Sequence, residues 1–365
     1  MLGPPLENHW INVADGVVES VSDKPSYSLT QHLGEANILP AGVNAHTHLE
    51  LSKIVPSPLD VPSRAMSDWV TTLLNFRRCP GYNAAEGIQH ALHQPELLNS
   101  TIAVADIVPA HERTGVSPPV LDVLIRTHRG ADAQPLLRYF PFTELIAWQE
   151  ELVEEKFAHI SPDSFGLSPH APHTVCPALL EKAVNQNMPI AMHLAETQEE
   201  LELLHHHTGP LLEMMRRVDP DYDPKSVLLG KRPMDYLQLL SAAPNVLIIH
   251  GNYLNDKEMQ FLAAHRETMS VVYCPRSHAY FRHTPYPLQK MLDYGVRVLL
   301  GTDSLASVPD LNFVEEIRFV LKHHPTISPD IVYRLGMIEG ASALHLRQEG
   351  FGTIQSGSPA RFAVL

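Results

Sequence analysis

The feature that most constrains this chain is a series of apolar, strand-like runs alternating with helical patterns: ILPAGVNAH, TIAVADIV, LLRYFPFTEL, FGLSPHAP, PIAMHLAE, NVLIIHGNY, SVVYCPRS and RVLLGTDS. Strand then helix, repeated, is the pattern of β-α units around a parallel sheet. Runs rich in Val, Ile and Leu over their whole length, each closing on polar residues, are what strands buried on both faces demand. An open, doubly wound sheet fits the same alternation, but it normally carries a glycine-rich phosphate loop after its first strand, and HTHLELS is not one. The expected fold is therefore α/β, a (β/α)8 TIM barrel. A chain of 365 residues holds a barrel of about 250 residues plus additional elements.

Those elements lie at the ends. WINVADGVVESV alternates apolar and polar residues around Asp15-Gly16, a hairpin signal, and GFGTIQSGSPARFAVL has the same short-strand texture. Between the runs, ETQEELELLHHHTGPLLEMMRRV reads as one helix, acidic at its start and basic at its end. A second helix, ALLEKAVNQ, has Thr174 as a candidate cap and Pro177 in its first turn.

Composition narrows the function classes. Lys plus Arg number 27 against 41 Asp plus Glu, a net charge of −14, which argues against nucleic acid or an anionic membrane surface as partner. No apolar run approaches the roughly 20 residues that cross a bilayer, and MLGPPLENHW lacks a signal-peptide pattern, so a cytoplasmic location is expected. Cys79, Cys176 and Cys274 are an odd, widely spaced set, expected to be reduced and buried.

The polar residues that end the strands recur in a telling way. His46 and His48 end the first run, His170 the GLSPH run, His193 IAMH, His250 LIIH and Asp303 LLGTD. On a strand, residues two apart share a face. In a barrel all these ends converge on one mouth, where the chemistry of such folds resides. Three imidazoles and a carboxylate with room for water suit zinc or iron(II). By contrast, His205-His206-His207 falls in a helical pattern and reads as a solvated face.

The chain resembles the amidohydrolase superfamily, in its cytosine-deaminase-like and chlorohydrolase-like branch, which includes triazine hydrolases and adenosine-type deaminases. NAHTHLELS, GLSPHAPHT, MHLAETQEE, IIHGNYL, CPRSH and GTDSLAS carry the resemblance, with ADGVVESV and EGASALHL to GTIQSGSPARF at the ends. It implies a small β-sandwich from residues 1–37 and 348–365 around a catalytic barrel, 38–347; relatives often continue beyond ARFAVL, so a minimal or a trimmed sandwich is expected.

The resemblance also assigns roles. His46, His48, His193 and Asp303 match the metal ligands, Glu196 the acid/base glutamate, His250 a residue that orients water or stabilises the intermediate, and His170 a substrate contact. Asp303 takes a proton from water. LLRYFPFTEL, taken as the fourth strand, lacks the lysine that bridges paired metals in other branches, so one divalent ion is implied, Zn2+ by default with Fe2+ as competitor. The implied reaction is hydrolytic deamination of an aminated N-heterocycle such as thiomethyladenosine, adenosylhomocysteine or aminodeoxyfutalosine. Chlorohydrolysis, other C–N hydrolysis and a non-catalytic scaffold are the alternatives. The partner is a small-molecule substrate, and a homodimer is common in the family. Trp69 and Phe76 in the long loop after the first strand are available to stack on a ring, His278 to touch substrate, and Glu50 and Ser52 to approach it. Arg138 and Arg276 are candidate anchors for an anionic group.

Overall fold

The structure, a computed structural model, describes residues 6–28, 30–54, 65–110 and 137–365. Residues 55–64 of the long loop expected to face substrate lie outside them, as do the first five residues. Strands β1 (Trp10–Ala14) and β2 (Val17–Ser22) form the expected antiparallel hairpin. Asp15 and Gly16 turn it with φ of 49° and 75°; two successive positive φ values give the turn whose twist matches its strands, and glycine adopts one without steric cost.

After β3 (Ile38–Pro40) comes the barrel: β4 (Gly42–Thr47), β5 (Thr101–Pro109), β6 (Arg138–Leu145), β7 (Gly166–Pro169), β8 (Ile190–Leu194), β9 (Val246–His250), β10 (Met269–Tyr273) and β11 (Val298–Leu300). Their spatial order equals their chain order, and every pairing is parallel. A parallel bridge between Thr47 and Asp303 joins the last strand to the first. Side chains complete that seam: Asn44 Nδ2 donates to Thr302 Oγ1 at 2.8 Å, and Thr302 N–H donates to Asn44 Oδ1 at 3.1 Å. Finally β12 (Phe362–Val364) pairs antiparallel with β3. Among the described residues no helix is long and apolar enough to cross a membrane.

Alternation sorts the barrel's side chains. Val43, Ala45, Ala103 and Ala105 pack with Phe140, Phe142, Leu247, Ile249, Val272 and Leu299 in one interior cluster. Small residues on β4 and β5 leave the volume that the two phenylalanines of β6 fill. The intervening residues, such as Met192, Ile248 and Val271, pack outward against the helices.

The structure corrects several expectations. ILPAGVNAH is two strands, because its first half pairs with β12 outside the barrel and only its second half enters it. LLRYFPFTEL contains the third barrel strand; the fourth is β7, which leads into His170, and it too ends without a lysine. The long helix is two, Gln198–His206 and Pro210–Val218, because His207 (φ 54°) and Gly209 (φ 99°) leave helical geometry and Pro210 has no N–H to continue the ladder. Cys176, not Thr174, stands at the N-cap position of Pro177–Val184, without a side-chain capping bond; the Thr174 hydroxyl bonds the Ala171 backbone instead. Of the three free cysteines, Cys79 is exposed, since it follows the helix Met66–Arg77 at the surface.

Candidate metal centre

The strand ends bring His46, His48 and His193 together: one ring nitrogen from each lies within 4.8 Å of the others. His46 is fully buried, and neither of its ring nitrogens has a hydrogen-bond partner among the described residues; nor does His48 Nδ1. Buried imidazole nitrogens left this way are costly unless something binds them. His48 Nε2 and His193 Nε2 are 3.3 Å apart, which matches the edge of a tetrahedron around an ion about 2.05 Å from each nitrogen. His193 Nδ1 lies 3.0 Å from the His170 carbonyl; donating its proton there leaves Nε2 as a lone-pair donor facing the site. Burial lowers all three pKa values well below the usual 6.5, so the rings are neutral and fit for ligation at pH 7.

Asp303 is the fourth member. Its Oδ1 is 3.8 Å from His46 Nε2, and its Oδ2 accepts hydrogen bonds from Ser277 (2.6 Å) and Ser307 (3.2 Å). The two hydroxyls fix the carboxylate so that Oδ1 alone faces the histidines. Gly301, two residues earlier, permits this approach: a Cβ there would lie 3.0 Å from both the Cβ and the carbonyl oxygen of His46.

Glu196 and His250 stand beside the cluster, with Glu196 Oε1 3.3 Å from His250 Nε2. Burial first, then the charges of Asp303 and Glu200, raise the Glu196 carboxyl well above its usual range. Burial, aided by His283 and His278, lowers His250 to about 3. Burial thus favours the protonated carboxyl of Glu196 and the neutral imidazole of His250.

The backbone here is strained. Ala195, His250 and Asp303 have φ of 53°, 65° and 62°, a region costing of order 1–3 kcal/mol for non-glycine residues and concentrated at functional sites. Each is held by named bonds. Glu200 accepts from the Ala195 and Glu196 N–H groups (2.8 and 3.2 Å), Tyr286 donates to the His250 carbonyl (2.9 Å), and Asp303 N–H donates to His46 O (3.1 Å). Glu200 escaped sequence reasoning although Thr197-x-x-Glu200 is a readable capping signature.

The remaining candidates separate. His170 borders the cluster, its ring centroid 4.8 Å from that of His193, and burial lowers it to about 3. His278 is buried near His250, its Nε2 without a partner among the described residues. Trp69 packs edge-on against Phe281 and donates to Ala306 O at 3.2 Å; Phe76 packs against Tyr82. Ser52 is buried, and Glu50 is tied to Arg77 and Tyr82. Arg276 is occupied by Glu316 and Asp310, and Arg138 by Glu349 in a surface pair. His205 and His206 are exposed.

Asp106 shapes the approach to His48. Its Oδ1 accepts the Leu49 N–H at 2.8 Å and its Oδ2 the Tyr139 hydroxyl at 2.6 Å. Burial raises its pKa to about 8. The folded state then retains a proton that the unfolded chain loses near 3.8, so this stability is full below that value and is lost as pH rises through about 8. The unfolding free energy of the protein relative to Asp106→Asn is expected to fall from pH 5 to 8, by at most about 1.4 kcal/mol per unit. Urea midpoints of both proteins across that range check it.

The chain is similar to known deaminases along most of its length. A 5-methylthioadenosine/S-adenosylhomocysteine deaminase from Pyrococcus furiosus is 24% identical over 97% of this chain and 81% of its own length. An aminodeoxyfutalosine deaminase from Deinococcus radiodurans is 28% identical over 84% of this chain and 72% of its own. An adenosine deaminase structure from Xanthomonas campestris with bound zinc superposes with a TM-score of 0.69 at 21% identity, covering 99% of this chain and 80% of that one. Residues 37–365 match the Amidohydrolase family, and the chain belongs to that family.

Proposed function

We propose that this protein is a mononuclear metal-dependent aminohydrolase that removes the amino group of a 6-aminopurine nucleoside as ammonia. One observation carries the reading: three converging imidazoles, with Glu196 beside them at 3.3 Å from His250 and its carboxyl pKa raised by burial. His46, His48, His193 and Asp303 would hold the divalent ion, zinc by default. Such an ion supplies Lewis acidity, making water acidic enough to furnish hydroxide near neutral pH.

The chain's own groups do the rest. Glu196 gives its proton to the ring nitrogen beside the amine-bearing carbon, which makes that carbon electrophilic. Water adds to the carbon while the Asp303 carboxylate, held in place by Ser277 and Ser307, takes the proton it sheds. His250 steadies the developing charge on the added oxygen. Asp303 then passes its proton on to the amine while the Glu196 carboxylate takes the proton of the added hydroxyl; the C–N bond breaks, ammonia leaves, and the added oxygen remains on the ring as a carbonyl with both carboxyls returned to their starting states. His170 borders the space for substrate. This reading assigns 38–347 to the hydrolase barrel and 1–37 with 348–365 to the accessory β-sandwich.

The deciding experiment is ammonia release by zinc-loaded protein from methylthioadenosine, adenosylhomocysteine and aminodeoxyfutalosine. Release from at least one, abolished by chelation and restored by zinc, is expected. Silence on all three with metal bound would overturn the substrate class.

A further inference from the structure

Glu144 stands near the end of β6 and is 6% exposed. Phe140 and Phe142 on the same strand belong to the barrel's interior cluster, so by alternation Glu144 points inward, one layer above them. Its register partner on β7 is Ser168, which is fully buried. Two residues beyond Ser168 is His170, whose N–H donates to Leu145 O at 3.1 Å. Glu144 and Ser168 therefore share the inner wall below His170.

Both carry an atom with no hydrogen-bond partner among the described residues, Glu144 Oε1 and Ser168 Oγ. Glu144 Oε2 is 3.6 Å from Arg77 Nη1, too far for a hydrogen bond. Arg77 is itself committed to Glu50, which it meets through Nε at 3.1 Å and through Nη2, and Glu50 also accepts the Tyr82 hydroxyl. One guanidinium is thus shared between two acidic side chains, bonded to Glu50 and only paired with Glu144, which leaves Glu144 Oε1 as an open acceptor. Glu50, to which Arg77 is bonded, lies two residues after His48, which sets this cluster beside the strand end that carries the first two histidines of the metal centre.

We propose that Glu144 is a specificity-determining residue. It accepts a hydrogen bond from a hydroxyl or amine that the substrate carries outside its reacting ring, and it disfavours a carboxylate or phosphate there. The proposal rests on the aminopurine-nucleoside reading and narrows it to uncharged or donor-bearing substituents. A donor satisfies a buried acceptor oxygen that has no hydrogen bond, whereas an anion brings a second acceptor against it and meets an acidic group whose guanidinium is shared with Glu50. Ser168 can donate or accept, so it adds directionality without choosing a charge.

The test uses zinc-loaded full chain and the 6-oxo products, which are not turned over: 5′-methylthioinosine and inosine 5′-monophosphate. Calorimetry gives Kd for each with the parent protein, Glu144→Gln and Glu144→Ala, alongside their Tm. The parent is expected to prefer the uncharged nucleoside, and Glu144→Gln to shrink that preference by about 10-fold or more, the size of a hydrogen bond to a charged group. A purely structural role would weaken both ligands alike, so an unchanged ratio in Glu144→Gln overturns the proposal, as does a parent preference for the phosphate. Ammonia release from nucleosides together with an unchanged ratio leaves the proposed function standing and removes this inference alone. Failure to bind either product removes this inference, and the proposed function falls with it only where ammonia release is also absent.

Discussion

Glu196→Gln is expected to lower kcat for ammonia release by roughly 10²–10⁴-fold, the range for a positioned proton-transfer group. Glutamine keeps the shape of the side chain and its 3.3 Å approach to His250 Nε2, but it has no carboxyl proton to give to the ring nitrogen. Metal content is expected to stay at the parent level, because Glu196 is not among the proposed ligands. KM should move little, since the lost interaction forms in the transition state. Tm should hold or rise, because a carboxyl forced to stay protonated by burial and by Asp303 and Glu200 is kept for chemistry at some cost in stability. The acid form is the active one in the first step, so the parent's rate should decline as pH rises through the Glu196 pKa, and the variant's residual rate should lack that limb. Stopped-time ammonia assays from pH 6 to 10 with metal analysis read all of this. Undiminished kcat in Glu196→Gln would transfer the acid role elsewhere.

How legible the molecule was in its sequence depends on which contacts are local. Barrel strands buried on both faces must be apolar throughout, so β5, β8 and β9 stand out as continuous runs. The boundary between β3 and β4 does not, because residues on either side are equally apolar and only the partner strand differs. His46, His48, His193, His250 and Asp303 could be found because they fall at or just past the ends of four strands, and the fold turns that shared position into proximity. The residues that set their geometry could not. Ser277 reaches Asp303 across 26 positions and Arg77 reaches Glu50 across 27, and neither serine nor arginine carries a positional signature. The helix break at Gly209-Pro210 was readable from its residues, yet the flanking apolar periodicity outweighed it.

His193→Ala is expected to abolish detectable tight metal binding and to lower kcat/KM by about 10³-fold or more, the rate equivalent of several kcal/mol of lost electrostatic stabilisation. The residue has two functions that alanine removes together. Its Nε2 supplies one corner of the ligand set, 3.3 Å from His48 Nε2, and its Nδ1 ties that corner to the His170 carbonyl at 3.0 Å. His46 is left with nitrogens that nothing else in the described residues satisfies. A ligand that binds only the folded state stabilises it by about 4 kcal/mol at a concentration 1,000 times Kd, so parent protein should show a zinc-dependent rise in Tm that His193→Ala lacks. The apo forms separate ligation from packing: if chelated parent and His193→Ala melt close together while only the parent responds to zinc, the imidazole acts through the ion. Thr174→Ala is the matched control, since Thr174 Oγ1 touches His170 Nδ1 at 3.0 Å without reaching the ligand set; a supporting contact of that kind should cost at most about 10–100-fold in affinity. Equal zinc-dependent shifts in parent and His193→Ala would remove His193 from the ligand set, and with it the single-metal site on which the proposed chemistry stands.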